Sequence, residues 1–215
     1  MPSVLSTKLL SPSQKNLLLN AYLSLTEYNA IQTKALKIPA SISEEKYQNV
    51  IVTSQTTVEI IKDFKIETCF CVGEKTALKL KSLGFKVEVI AESGIELGKK
   101  IIQDYSELSF TFFGSKKRRP ELSSALKKAN VSLAEVFVYD TIKIPKTFQR
   151  DFDAVLCFSP SGVDSFFEGN RDTRAKIICI GSTTAQQAKL YSESVFVSTK
   201  TSVESVIVKT VKLLK

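Results

Sequence analysis

Four short stretches carry residue types able to hold an anion: Thr53-Ser54-Gln55, Gly73 to Thr76, Ser159 to Gly162, and Gly181 to Thr184. Each follows an apolar, β-prone run and opens a helix-like stretch. Strand-to-helix loops of this composition turn backbone N–H groups and the positive end of a helix dipole outward, which suits carboxylate or phosphate. The same Ser, Thr and Gly residues also serve as ordinary helix caps, so one such loop decides nothing. Four in one chain favour anion binding.

What is missing narrows the chemistry. The 215 residues include no histidine and no tryptophan. Without histidine there is no neutral-pH general base of the usual kind, no Ser-His or Cys-His pair, and not the commonest metal ligand. An enzyme built this way relies on gentle proton transfer, or on reactivity carried by its substrate. The cysteines Cys69, Cys71, Cys157 and Cys179 each sit in an apolar, strand-like run. Cys69-x-Cys71 lacks the spacing and the second pair of a zinc knuckle, so all four are expected to be small buried hydrophobes in a reducing compartment. Neither a Gly-x-Gly-x-x-Gly fingerprint nor a P-loop is present. No metal or cofactor is expected.

The formal net charge is +8, from 30 Lys and Arg against 22 Asp and Glu. A basic balance favours an anionic partner. The densest cluster, Lys116 to Pro120, could contact phosphate, or could be a solvated loop entering a helix. No aromatic residues interleave with it as on a single-strand binding surface, so nucleic acid is not the expected partner. No apolar run reaches membrane-spanning length, and the first residues lack the apolar core of a secretion signal. A cytoplasmic protein with no membrane partner is therefore expected.

The elements that must position these loops come twice. Gly73-x-x-Thr76-Ala77 recurs as Gly181-x-x-Thr184-Ala185, an offset of 181 − 73 = 108. Cys71 and Cys179, Glu96 and Glu204, and Ser24-Leu25-x-Glu27 and Ser132-Leu133-x-Glu135 share that offset. Ser54 and Ser159 align at 159 − 54 = 105, and the difference is recovered in the polar stretch FEGNRDTRAK. Each half runs strand, helix (near 12–21, then 120–128), exposed strand-like segment, strand, helix, the Gly-x-x-Thr-Ala strand and helix, a short strand and a last helix. Alternating β-branched runs and amphipathic helices indicate βα units and parallel sheets. Ser11-Pro12-x-Gln14 predicts a capping box, and Ser159-Pro160 a second capped start, with Ser161-x-x-Asp164 as an overlapping alternative.

The segments SLTEYNAIQTKALKIP and SLAEVFVYDTIKIP sit mid-repeat and are the natural crossings between lobes. The expected fold is α/β: two similar parallel-sheet α/β domains joined by a two-stranded linker, with a cleft between them. One domain is discontinuous, 1–25 plus 145–215, the other is 36–134, and 26–35 and 135–144 form the linker strands. From the residues alone, the protein is a two-lobed binder of a multiply charged anion.

The ordered pieces Thr7-Lys8, VIVTSQTTVE, VGEKTALKLKSLGFKV, GSKKRRPELSSALKKANV, VFVYDT, FSPSGVDSFF, IGSTTAQQA and TKTSVESVIVKTV resemble the uroporphyrinogen-III synthase family over nearly the whole chain. The resemblance implies a monomeric lyase of haem and tetrapyrrole biosynthesis, needing no cofactor. It would cyclise hydroxymethylbilane, a linear tetrapyrrole with eight carboxylates, with inversion of ring D through a spiro intermediate. By the same resemblance Tyr139 matches the linker tyrosine and either assists hydroxyl departure or packs in the linker. Lys8 stands where the family often has arginine, keeping the charge but losing the bidentate geometry. Thr53, Ser54, Gly73, Thr76, Ser159, Ser161, Gly162, Gly181, Thr183 and Thr184, with neighbouring amides, would hold the carboxylates. The competing readings are a non-catalytic two-lobed anion-binding module and, more weakly, a nucleic-acid binder using Lys116 to Arg119.

Overall fold

The computed structural model of the chain describes residues 1–118 and 120–215. In chain order the elements are β1 (Ser3–Ser6), α1 (Pro12–Leu19), β2 (Ser24–Glu27), β3 (Ile31–Ala35), α2 (Ala40–Ser43), β4 (Lys46–Val52), α3 (Gln55–Ile60), β5 (Lys65–Val72), α4 (Glu74–Ser82), β6 (Lys86–Ala91), α5 (Gly94–Asp104), β7 (Phe110–Ser115), α6 (Glu121–Lys128), β8 (Leu133–Lys143), β9 (Ala154–Cys157), α7 (Pro160–Gly169), β10 (Lys176–Cys179), α8 (Ser182–Ala188), β11 (Val195–Val197) and α9 (Val203–Leu214). Among the described residues no helix is long and apolar enough to cross a membrane.

Local chemistry explains where the helices start. Ser11 Oγ accepts from the Gln14 N–H at 3.3 Å while the Gln14 side chain accepts from the Ser11 N–H at 3.0 Å, completing the capping box. At α7 the choice falls on Ser159. Its backbone is extended, its Oγ accepts from the Gly162 N–H at 3.1 Å, and Pro160 fills the first turn, where a missing N–H costs nothing.

The chain divides into two units, one of Met1–Gln32 and Ile142–Lys215, the other of Thr33–Thr141. The first holds a five-stranded sheet ordered β11-β10-β9-β1-β2. The six-stranded sheet is ordered β3-β8-β7-β4-β5-β6. Ladders along β2-β1-β9-β10-β11 and along β8-β7-β4-β5-β6 are parallel throughout. With the repeat as a guide, β2, β1, β9, β10 and β11 correspond one to one with β8, β7, β4, β5 and β6. The duplication thus reappears as identical strand order.

Both faces of each sheet are covered, as parallel sheets require. In the second unit Val50, Val52, Cys69 and Cys71 pack with Val58, Ala77 and Leu80 of α3 and α4. Ile51 and Phe70 face the other way, onto Leu97, Ile101, Leu122 and Leu126 of α5 and α6. In the first unit Val155, Cys157, Ile177 and Cys179 meet α7 and α8, while Val4, Leu156 and Ile178 meet α1 and α9. All four cysteines are buried and free. Burial pushes the Cys69 thiol up to about 12 and the Cys71 thiol to about 11, so neither is a ready nucleophile or metal ligand.

The segments expected as exposed, strand-like linkers begin as strands of the two sheets. β2 pairs along β1, and the start of β8 pairs along β7. β2 is an edge strand of partly exposed residues, which blurs the alternation that marks a half-buried strand. Beyond those pairings the Leu36 N–H donates to Val138 O at 2.9 Å and the Ile144 N–H to Ala30 O at 2.8 Å, partners that run in opposite directions.

The base of β8 is fixed by charge. Glu135 pairs with Arg118 and, at 2.9 Å, with Lys127, and the Arg118 guanidinium lies 4.6 Å from the Phe137 ring centre. Burial works to raise the Glu135 pKa, but the charges and hydrogen bonds of Lys127 and Arg118 more than offset it and hold the carboxyl at about 2. A carboxyl depressed in the fold stabilises it above the ordinary value of 4.5 and loses that effect as pH falls toward 2. Glu135→Gln is therefore expected to unfold at lower urea than the wild type at pH 7. The gap should narrow steadily as unfolding is followed from about pH 5 down to about pH 2.5.

Candidate active site

In the second unit β4, β5 and β6 progress to one side while β7 and β8 return on the other, so the strand order reverses between β4 and β7. In the first unit it reverses between β9 and β1. The carboxyl ends of strands beside such a reversal open a crevice, because successive connections leave in opposite directions. The residues that follow β4, β7, β9 and β1 are the candidates this geometry selects.

At the β9/β1 reversal the Thr7 hydroxyl donates to Leu156 O at 2.7 Å, and the Ser6 hydroxyl donates to Lys8 O at 2.5 Å. A Cβ added at Gly162 would lie 3.1 Å from Ser159 Oγ and 3.8 Å from Thr7 Oγ1. Thr7, Ser159 and Gly162 are thus gathered at one strand end. Lys8 is exposed beside them and, among the described residues, forms no ion pair. Ser161 is half-buried in the first turn of α7.

At the β4/β7 reversal Thr53 and Ser54 leave β4 half-buried, and Ser54 caps α3 by accepting from the Thr57 N–H at 3.1 Å. Tyr139 reaches the same place from β8, with its hydroxyl 3.1 Å from Ser54 Oγ. Its backbone carbonyl accepts from the Lys116 N–H at 3.1 Å, which ties the tyrosine to the end of β7. Lys117 Nζ donates to Thr141 O at 2.7 Å, so that amine is engaged, whereas the Lys116 side chain is exposed. Arg119, part of the basic run noted in the sequence, lies outside the described residues.

The Gly-x-x-Thr-Ala loops lie one strand further out, after β5 and β10, and their members differ in what they offer. Thr76 is 5% exposed and Thr184 4%. Both turn into the helix–sheet packing, which leaves little hydroxyl surface for a ligand, whereas Thr183 is half-exposed. The helical period explains the difference: the position before the alanine faces the sheet. Gly73 has φ +86° and its N–H donates to Ala91 O at 2.8 Å, while Gly181 has φ −169°, ordinary extended backbone.

Three residues at or near these strand ends are not among the expected carboxylate-holding residues: Thr7, Thr57 and Lys116, the last expected only as part of a basic run. The repeat contained a signal for the last, since 116 − 8 = 108 makes Lys116 the counterpart of Lys8. Cavities of about 350 Å³, at the amino ends of β4, β5 and β7 near Lys46 and Glu67, and of about 250 Å³, near Phe148 and Asn170, take in none of the loop residues.

The uroporphyrinogen-III synthase HemD family matches residues 22–207. The chain belongs to the uroporphyrinogen-III synthase family. No curated protein matches the sequence. The fold is shared with uroporphyrinogen-III synthetase from Helicobacter pylori 26695, at 14% identity and a TM-score of 0.72, over 99% of this chain and 100% of that one. A mutant uroporphyrinogen III synthase from the extremely thermophilic bacterium Thermus thermophilus superposes with a TM-score of 0.69 at 16% identity, over 100% of both chains. At such identities the likeness speaks for the α/β two-domain fold. Membership of the family indicates uroporphyrinogen-III synthase activity in tetrapyrrole biosynthesis, and with it a polyanionic tetrapyrrole substrate.

The two repeated glycines should respond differently to a methyl group. Gly73→Ala places a side chain at positive φ and should cost about 1–3 kcal/mol in urea unfolding. Gly181→Ala needs no backbone change and meets only Thr201 Oγ1 at 4.0 Å, so its cost should be about 1 kcal/mol or less. Equal losses would contradict the different backbone roles.

Proposed function

We propose that the chain cyclises hydroxymethylbilane to uroporphyrinogen III with inversion of ring D, acting as a hydro-lyase without metal or cofactor. The observation that carries this reading is the Tyr139 hydroxyl on Ser54 Oγ at the end of β4, beside the strand-order reversal. A phenol hydroxyl beside a strand-order reversal supports the reading, because α/β sheets present ligands there.

Tyr139 donates a proton, or a strong hydrogen bond, to the leaving hydroxyl of ring A as its C–O bond breaks and water departs. The pyrrole nitrogen supplies the electron pair, leaving an electrophilic azafulvene. Ring D attacks through its already substituted α-carbon and forms the spiro intermediate. That intermediate fragments at the older bond and recloses at the free α-carbon, whose proton is then lost. The pyrroles drive these steps electronically, so a chain without histidine suffices. Its task is to fold the bilane so that this closure outruns closure without inversion, an orientation effect.

In the first unit Lys8, Ser159, Ser161 and Gly162 stand after β1 and β9, and Gly181 and Thr183 after β10. In the second unit Thr53 and Ser54 stand after β4, and Gly73 after β5. Substrate carboxylates are the ligands proposed for these loops. The inward turn of Thr76 and Thr184 limits them to supporting these loops. A non-catalytic anion-binding module is the reading that the assay must beat.

The test supplies hydroxymethylbilane generated in situ and separates the product isomers. Isomer III, formed faster than the spontaneous reaction, is expected, whereas isomer I alone at the no-enzyme rate would favour the binding module. Tyr139→Phe should lower kcat by about 10- to 100-fold with KM within about twofold. An unchanged kcat would remove Tyr139 from the chemistry.

A further inference from the structure

Ser54 Oγ lies 3.0 Å from Thr57 Oγ1 as well as 3.1 Å from the Tyr139 hydroxyl, so three hydroxyls form one chain. A serine hydroxyl offers one proton and two lone pairs. One lone pair is already taken by the Thr57 N–H, which leaves one proton and one lone pair to share between Thr57 and Tyr139. The chain can therefore point only two ways. Either Ser54 donates to Thr57 and accepts the Tyr139 proton, or Thr57 donates to Ser54 and Ser54 donates to the Tyr139 oxygen. Only the second leaves the tyrosine proton free to leave. After it leaves, the same orientation gives the phenolate oxygen a hydrogen-bond donor. Thr57 is wholly buried, so water does not compete for its hydroxyl.

The duplicated half supplies an internal comparison. Ser159 occupies the place of Ser54 and caps its helix in the same way. At the same offset of 105, Gly162 replaces Thr57, since 57 + 105 = 162, and at 108 Ile31 replaces Tyr139, since 139 − 108 = 31. A side chain at Gly162 would crowd Ser159 Oγ, at 3.1 Å from the first added carbon. One copy keeps only the capping serine, and the other carries both flanking hydroxyls together. Capping alone therefore does not explain Thr57.

We propose that Thr57 is a positioning residue which, through Ser54, orients the Tyr139 hydroxyl for proton transfer to the leaving group. The inference rests on the synthase reading above. In balance, the Tyr139 O–H bond breaks as the proton joins the departing hydroxyl, which leaves as water with the C–O electron pair. The proton later lost from the ring D carbon restores the phenol.

Thr57→Val keeps the backbone N–H that Ser54 caps and deletes only the hydroxyl, so it separates the relay from the cap. It should lower kcat about fivefold, the usual size of one hydrogen bond's contribution, with KM within about twofold. Thr57→Ser should return kcat to within about twofold of wild type. In a Tyr139→Phe background, Thr57→Val should produce no further loss, because residues acting through one group are not additive. Should Thr57→Val fail to fold, Thr57→Ala enters the same cycle. Wild-type kcat in the single variant, or the same fold-loss with and without Tyr139, overturns the relay while the synthase reading stands. Absence of isomer III from the wild type overturns both.

Discussion

Neither copy of the repeat can complete a sheet of its own. β9, β10 and β11 need β1 and β2 from the other end of the chain, and β4, β5 and β6 need β7 and β8 from the next repeat. This constraint follows from burial. Strands such as β9, with four consecutive buried residues, must be covered by neighbours and by helices on both faces. Because three strands come from one copy and two from the other, the chain must pass between units twice, within β3 and within β8. The same partition puts a strand-order reversal in each sheet and assigns the strand ends there to different copies.

Duplication also explains why similar loops do different work. The pair Gly73 and Gly181 looks equivalent in sequence, yet one sits at φ +86° and the other at −169°. The pair Ser54 and Ser159 caps equivalent helices, yet only Ser54 meets a tyrosine. The asymmetry gathers around the end of β4, where the substrate's leaving group is proposed to lie. At the matching end of β9, Gly162 stands where the other copy has Thr57.

Much of this was legible in the residues because it rests on short-range rules. The Ser11 capping box and the Ser159 cap depend on neighbours a few positions apart, and the offset of 108 needs only the comparison of short local patterns. The structure places them as those rules require. The inward turn of Thr76 and Thr184 follows from helical phase, which the composition of the Gly-x-x-Thr-Ala motif does not express. Two features were not accessible. β2 lies at a sheet edge, where partial exposure erases the period-two signal. The Thr57–Ser54–Tyr139 chain joins residues 85 positions apart along the sequence, through a strand pairing that no local pattern specifies.

The central claim is that the tetrapyrrole reaches the carboxyl end of β4, beside the strand-order reversal and Tyr139. A crystal structure of the protein with uroporphyrinogen III, or with a bilane lacking the leaving hydroxyl, tests this most directly. The account predicts a carboxylate on the loop after β4, at Thr53 and Ser54, with a pyrrole ring within hydrogen-bonding reach of Tyr139. A tetrapyrrole seated at the amino ends of β4, β5 and β7, near Lys46 and Glu67, would contradict it.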